Sequence, residues 1–104
     1  SEDDGEIIGA VAYKRLEDGV CEMKRMFAQP RVQGQGVGRA LCEALIARAG
    51  ADGYSVMRLD TAARFTEALA LYRSVGFQER APYIDYPARM DGMMVFMERP
   101  LKAR

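Results

Sequence analysis

The sequence predicts one α/β domain built around a mixed sheet. Three features indicate this fold class: several short apolar runs, a Gly-rich stretch that leads from one such run into a segment with helical spacing, and a second helical segment before the last run. A strand, a loop, a helix and a further strand in succession are typical of a parallel pair. At 104 residues the chain has the usual length of one domain, and we predict a single domain over residues 1–104.

The chain opens with a predicted hairpin. Ile7 to Tyr13 is an apolar run, Glu17-Asp18-Gly19 is a polar turn candidate, and a second run covers Val20 to Ala28. Side chains alternate along a strand, so both faces of the second run are mixed. One face carries Glu22, Lys24 and Met26, and the other carries Cys21, Met23, Arg25 and Phe27.

Two helices follow. The first is predicted over Arg39 to Ala49, with apolar residues at helical spacing, and it ends before Gly50. The second runs from Thr66, a candidate N-cap, to Ser74, and it ends before Gly76.

Strands or extended segments follow each helix. Ser55 to Asp60 is predicted as a strand, and Phe77 begins another extended segment. Two prolines make Ala81 to Asp91 an irregular loop, and Gly92 to Glu98 resumes as a strand. The predicted element order is β-β-α-β-α-β-β.

Composition argues against several classes of protein. Basic and acidic residues balance at fifteen each, so no global field favours nucleic acid or an anionic membrane. Cys21 and Cys42 do not make the disulfide framework of a small secreted domain. No apolar run approaches the roughly 20 residues that span a bilayer, and the acidic start is unlike a signal peptide. We expect a cytoplasmic protein that binds neither nucleic acid nor membrane.

The Gly-rich stretch from Gln33 to Arg39 has the features of an anion site. Closely spaced glycines let backbone N–H groups approach a phosphate, and the helix dipole adds a partial positive charge. A P-loop would end in Gly-Lys-Ser/Thr, but Gly38 is followed by Arg39 and Ala40. A dinucleotide-binding fingerprint needs a different glycine spacing. The stretch alone therefore predicts a phosphate site or an ordinary strand-to-helix turn.

Four segments, in the same order, resemble the GNAT N-acetyltransferase superfamily. They are Glu22 to Pro30, Gln33 to Arg39, Leu59 to Thr61 and Ala68 to Phe77. The family's loop motif is Gln or Arg, two residues, Gly, one residue, then Gly or Ala. This sequence fits the motif from Arg31 and again from Gln33, and we choose Gln33 because it leaves the usual step from the end of the preceding strand.

The resemblance implies a GNAT-like acyl-CoA N-acyltransferase fold and an enzyme that transfers acetyl from acetyl-coenzyme A to a small-molecule or peptide amine by direct attack. It implies no metal. Backbone groups of Met26, Phe27 and Ala28 would pair with the pantetheine arm, and main-chain amides of the loop would hold the pyrophosphate. The implied loop residues are Gln33, Gly34, Gln35, Gly36, Val37, Gly38 and Arg39.

Two side chains are the candidate catalytic groups. By resemblance, Tyr72 is the general acid that protonates the departing thiolate, since a phenol is protonated at neutral pH; the alternative is a tyrosine that packs a helix face. The acceptor amine must lose a proton before attack, and the chain contains no His. Glu22 is the candidate base, directly or through water, and the alternative is a surface pair with Lys24.

The chain departs from the family pattern in two places. Phe65 stands where many members have an Asn that contacts the coenzyme arm, and it cannot make that hydrogen bond. The family usually has a strand, two helices and most of another strand before the position of Asp4-Gly5, and these do not occur in this sequence, so we expect a fold truncated at its N-terminus. Ile7 to Tyr13 would then be an exposed edge strand, and we expect either that copies of the chain pair through it as a homo-oligomer or that the sequence is a fragment of a longer protein.

The sequence does not select the acceptor, since many acceptors occur on one fold. The loop Ala81 to Gly92, with Tyr83, Tyr86, Arg89 and Met90, is expected to form the remaining wall of the acceptor site, or else to be only a surface loop. Two alternatives to the enzyme stay open. One is a non-catalytic acetyl-coenzyme A-binding module or assembly subunit, and the other is a small nucleotide-phosphate binder.

Overall fold

A computed structural model of the protein describes residues 5–8, 11–25 and 35–101. Its strands are β1 (Gly5–Ile8), β2 (Val11–Glu17), β3 (Val20–Arg25), β4 (Val56–Ala62), β5 (Gln78–Arg80) and β6 (Met94–Pro100). Its helices are α1 (Gln35–Ala51) and α2 (Thr66–Ser74), and a short 3-10 turn covers Ala88–Met90. The predicted α/β class is confirmed. No helix within the described ranges is long and apolar enough to cross a membrane.

The six strands form one mixed sheet in the order β1-β2-β3-β4-β6-β5. The β3–β4 pair is parallel, as predicted for the strand, loop, helix and strand unit, and α1 connects the two strands. The other neighbours in the sheet pair antiparallel. The connection through α1 therefore crosses at the centre of the sheet.

The prediction of one edge strand over Ile7 to Tyr13 is wrong. β1 and β2 pair antiparallel with Ile8 opposite Val11, so the chain turns back inside this apolar run. β2 is paired on both sides, with β1 and β3, so within this run only β1 lies at an edge of the sheet. The strand count before α1 is therefore one more than predicted.

Both helices pack on the same face of the sheet and enclose the core there. That face of the sheet contributes Val11, Tyr13, Cys21, Met23, Met57, Leu59 and Met97, and the helices contribute Cys42, Leu45, Ala49, Leu69 and Tyr72. The two cysteines are free thiols in the interior. The opposite face carries polar side chains, because alternate residues of β3 and β4 point away from the helices.

A glycine ends α2 and fixes the chain that follows it. Gly76 has φ of 102°, its N–H donates to the carbonyl of Arg73, and the N–H of Phe77 donates to the carbonyl of Tyr72. This is the Schellman arrangement, with the usual apolar contact between the rings of Tyr72 and Phe77 at 6.0 Å. The predicted stop of this helix is confirmed.

Candidate active site

The parallel strands β3 and β4 separate partway along their length. Their paired residues are Val20 with Val56, Cys21 with Met57 and Glu22 with Arg58. Beyond the last pair β3 continues to Arg25 and β4 to Ala62, each still paired with its outer neighbour. The two halves of the sheet thus leave an opening at the carboxyl ends of the parallel strands, which is where α/β sheets commonly bind ligands.

The first turn of α1 lies on the same segment of chain, shortly after β3. The helix begins at Gln35, so the predicted start at Arg39 is too late: Gly36, Val37 and Gly38 are helical rather than loop. The first turn contains no acidic residue, and among the described residues no atom would lie within 4 Å of a Cβ at Gly36. Helix geometry leaves the first amides without intrahelical partners. These amides suit an anion such as a phosphate.

Gly38 and Arg39 connect α1 to α2. A Cβ at Gly38 would lie 3.4 Å from Cδ2 of Leu71, which is ordinary van der Waals contact, so α1 and α2 lie next to each other at this position. The Arg39 guanidinium donates from NH1 to Oγ of Ser74 at 3.2 Å and lies 3.2 Å from a carboxylate oxygen of Glu43. Its side chain is thus occupied by protein groups. Arg39 is the fifth residue of α1 and lies beyond the first amides that a helix leaves unpaired, so its predicted main-chain contact stays a prediction.

The predicted pantetheine and early loop contacts fall outside the described residues. This applies to Met26, Phe27, Ala28, Gln33 and Gly34, whose assigned roles stay predictions.

Glu22 is the last paired residue of β3, and it is buried. Only 2% of the residue is exposed, and no other described residue with a polar or charged side chain is buried to that degree. Its Oε2 accepts a hydrogen bond from the Tyr83 hydroxyl at 2.8 Å, and its Oε1 lies 3.2 Å from Nζ of Lys24. The Lys24 pair considered from the sequence is therefore present, but it is not the exposed surface pair expected for that alternative.

Tyr83 lies in the irregular loop after β5, which folds over the polar face of the sheet. Its ring meets Phe96 edge-on at 5.3 Å between centroids, and the guanidinium carbons of Arg58 and Arg80 lie 5.4 and 5.7 Å from its centroid. Burial, followed by the hydrogen bond to Glu22, raises the pKa of the Tyr83 phenol above its ordinary value. The phenol therefore stays protonated and donates to the carboxylate.

A network of ion pairs borders Tyr83. Oε1 of Glu98 accepts from Nε of Arg58 at 2.9 Å and from NH1 of Arg80 at 2.6 Å, and Arg58 also lies 3.6 Å from Glu17. Burial by itself would raise the pKa of Glu98, but the hydrogen bonds from the two arginines outweigh it and lower that pKa. The arginines are thus held at fixed positions beside the phenol.

A second tyrosine of the loop contacts β4. The Tyr86 hydroxyl donates to Oδ2 of Asp60, and this hydrogen bond, followed by burial, raises the pKa of Tyr86 to about 12. The Tyr86 ring lies 6.1 Å from that of Phe96. The loop thus covers the polar face at two carboxylates, while Arg89, also named from the sequence, is exposed and Met90 is partly buried.

Arg58, Asp60 and Phe96 also belong to this cluster, and none of them was predicted from the sequence as a site residue. Arg58 and Asp60 alternate on β4 in parallel register with Glu22, so they share its face of the sheet. Phe96 pairs with Asp60 across β4 and β6. The available signal was the polar alternation within the segment Ser-Val-Met-Arg-Leu-Asp.

Tyr72 is on the other side of the sheet. It is 6% exposed and belongs to the core cluster on the face of Cys21 and Met23, whereas Glu22 points to the opposite face. The structure therefore does not bring the two predicted catalytic side chains together on one face. The opening between β3 and β4 is where groups from the two faces can act on one ligand.

Comparisons with known proteins point to one family. Residues 1–77 match the model of the Acetyltransferase (GNAT) family. An IAA acetyltransferase of Azospirillum brasilense is 41% identical over 93 residues, which is 89% of this chain and 59% of that protein. The ribosomal-protein-S18-alanine N-acetyltransferase of Escherichia coli is 28% identical, with a TM-score of 0.68, over 91% of this chain and 63% of that one.

A GNAT phosphinothricin acetyltransferase of Sinorhizobium meliloti, solved in complex with acetyl-coenzyme A, shares the fold with a TM-score of 0.69 at 21% identity. It aligns with 88% of this chain, over 53% of its own length. The chain thus spans a little over half of the length of these relatives.

Proposed function

The chain belongs to the Acetyltransferase (GNAT) family, and from this premise we propose that it binds acetyl-coenzyme A in the opening between β3 and β4 and transfers the acetyl group to an amine. The observation that carries the proposal is the end of parallel pairing at Glu22 and Arg58, with the open first turn of α1 on the same connection. Acetyl-coenzyme A supplies an activated thioester. The residues of the chain bind it, exclude water and move protons.

The first turn of α1 fits the pyrophosphate. It has free main-chain amides, no acidic side chain and open space at Gly36. Beyond the last described pair, β3 and β4 no longer bond to each other through their facing main-chain groups. These groups suit the extended pantetheine arm of the coenzyme, which would bind like an added strand. The Phe65 ring is 44% exposed at the start of α2, where it offers an apolar surface in place of an amide.

Glu22 and Tyr72 take the proton-transfer roles in this proposal. The carboxylate of Glu22 receives the proton that the acceptor amine must lose, and Nζ of Lys24 lies 3.2 Å from its Oε1. Tyr72 gives a proton to the departing thiolate from the core side of the opening. The loop with Tyr83 and Tyr86 forms a wall of the acceptor site.

One observation favours an alternative, a module that binds acetyl-coenzyme A without catalysis. The Glu22 side chain is only 3% exposed, so an acceptor does not reach it directly in this conformation. Release of free thiol from acetyl-coenzyme A, measured with a panel of amino acids, polyamines and peptides, separates the two functions. Binding without thiol release for any amine would contradict acetyl transfer.

The binding half of the proposal is tested by Gly36→Asp. A side chain there meets nothing within 4 Å, and a negative charge in the first turn of a helix is stabilising. The same charge would repel a pyrophosphate. We expect an unchanged or higher melting temperature together with at least about tenfold weaker acetyl-coenzyme A binding by calorimetry. Ala47→Asp, on an exposed position about three turns further along, is the control and should leave binding unchanged.

Compartment, assembly and domain extent complete the proposal. Two free interior thiols suit a reducing cytosol. The edge strand β1 offers main-chain groups for pairing with a second copy. Residues 1–104 would act as a single domain.

A further inference from the structure

We propose that Tyr83 is a catalytic residue that relays the proton of the acceptor amine to Glu22. This inference rests on the proposed acetyl transfer and names the route by which its base is reached. The base must take a proton from a bound amine, but Glu22 is only 2% exposed, so the amine cannot contact its carboxylate directly.

Among the described residues, two polar side chains contact the carboxylate oxygens of Glu22. Lys24 lies against Oε1 and is cationic, so it has no lone pair with which to receive a proton. The Tyr83 hydroxyl contacts Oε2 at 2.8 Å, and a phenol oxygen is both donor and acceptor. Of these two partners, Tyr83 alone has the chemistry of a relay.

The position of Tyr83 also suits contact with the acceptor. The residue is partly exposed, and it sits on the polar face next to the last pair before the strands separate. Phe96 supports the ring edge-on, and the guanidinium groups of Arg58 and Arg80 lie over it. The arginines are themselves fixed by Glu98. The phenol is therefore pre-positioned, and no hydrogen bond to its oxygen from another described residue is present, so the oxygen can accept from a ligand.

The relay moves two protons in one step. An N–H bond of the ammonium breaks and its proton forms an O–H bond at Tyr83, while the original Tyr83 proton passes to Oε2 of Glu22. The amine becomes neutral and nucleophilic, the carboxylate becomes a carboxylic acid, and the phenol is regenerated. No phenolate accumulates, in keeping with the raised pKa of Tyr83. The same path in reverse returns the proton from Glu22 to solvent after the product leaves.

Other charged groups on this face do not replace the relay. Lys24, Arg58 and Arg80 are cations with no free lone pair, and Asp60 accepts from Tyr86. Asp60 therefore marks a separate tyrosine–carboxylate pair further along β4.

The test is the rate of thiol release from acetyl-coenzyme A with the best amine of the panel. Tyr83→Phe keeps the ring contact with Phe96 and removes the hydroxyl. We expect kcat/KM for the amine to fall by about 10²–10⁴, as for loss of a general acid or base, with an unchanged KM for acetyl-coenzyme A. Glu22→Gln should lose as much, and the double variant should lose no more than either single variant. Tyr13→Phe removes another phenol that donates to a carboxylate, Asp52 on the core side, and should leave activity unchanged.

Distinct outcomes overturn distinct ideas. No thiol release by the unaltered protein overturns the proposed function and the relay with it. Activity of Tyr83→Phe within about threefold of the unaltered protein overturns the relay alone, as do losses that add in the double variant. If Tyr83→Phe fails to fold, the rate of the unaltered protein in mixtures of H2O and D2O decides. A bowed dependence on deuterium fraction supports two protons in flight, and a straight line contradicts it.

Discussion

Replacing Gly76 with alanine is expected to destabilise the protein by about 3 kcal/mol. Gly76 has φ of 102°, a conformation that costs a residue with a Cβ about 1–2 kcal/mol. The new Cβ would also lie 2.7 Å from Nε of Arg99. That contact is too short, so Arg99 must move.

The movement of Arg99 adds to the conformational cost. Its Nε donates to the carbonyl of Val75 at 2.8 Å, which is the carbonyl just before the glycine. A hydrogen bond from a charged donor contributes about 1.5–3 kcal/mol, and part of it is recovered because Arg99 is not fully buried. The two effects together give the expected total.

Gly53→Ala is the matched control for this substitution. Gly53 has φ of 98°, almost the same conformation, but a Cβ there meets nothing within 4 Å. Urea unfolding followed by circular dichroism should give a loss of about 1–2 kcal/mol for Gly53→Ala and at least about 1 kcal/mol more for Gly76→Ala. Equal losses for the two variants would refute the role assigned to Arg99. Adding Arg99→Ala to Gly76→Ala should bring no clash and therefore less than the sum of the two single losses.

Three further predictions concern acid stability, helix capping and the candidate acid. The pKa of Glu98 is lowered below its ordinary value of 4.5 in the folded state. The Glu98 carboxylate therefore contributes to the free energy of unfolding above pH 4.5, and this contribution is lost as the pH falls through the folded-state pKa. Glu98→Gln should therefore unfold more easily than the parent at pH 7, with a difference that shrinks below pH 4.5, whereas the exposed Glu79→Gln should track the parent throughout. Phe65→Asn should raise stability by about 0.5–1 kcal/mol in thermal unfolding, since the N-cap of α2 makes no side-chain hydrogen bond, and loss of stability would contradict this. Tyr72→Phe should retain the fold and lower kcat for thiol release by about 10²-fold, and unchanged turnover at every pH would exclude its acid role.

Much of the fold could be predicted because local signals agree with tertiary structure. Gly19 lies in the turn between β2 and β3, and Gly53 and Gly76 follow the ends of α1 and α2, although α1 continues past Gly50, where its end was predicted. Cys21 and Met23 on β3 and Met57 and Leu59 on β4 alternate onto the core face. The start of α1 was misplaced because glycine disfavours helices, whereas Gly36 and Gly38 both lie within the first turns of α1. The run from Ile7 to Tyr13 is apolar throughout, so its sequence does not show that it contains two strands. Pairing with β3 determines which of the two lies inside the sheet.

The candidate site was less predictable, because it depends on which loop covers the sheet. Tyr83 and Tyr86 were expected as a wall, but the sequence carries no sign that they would pair with Glu22 and Asp60. Those contacts join residues far apart in the chain. Arg58 was overlooked because a single arginine in an apolar strand suggests an exposed position, whereas Glu98 and Glu17 hold it against the sheet.

β3 and β4 are paired over only three residue pairs, so a ligand bound beyond the last pair would also hold the two halves of the sheet together. The sheet consists of two three-stranded blocks, β1-β2-β3 and β4-β6-β5, joined through the pairs from Val20–Val56 to Glu22–Arg58. A ligand that hydrogen-bonds to both blocks adds contacts between them. Its binding free energy therefore adds to the free energy of unfolding. At a ligand concentration one hundred times Kd, this linkage is worth about 2.7 kcal/mol. Hydrogen exchange at the inner edges of the two blocks would slow accordingly, so under the proposed function the bound coenzyme would also stabilise the fold.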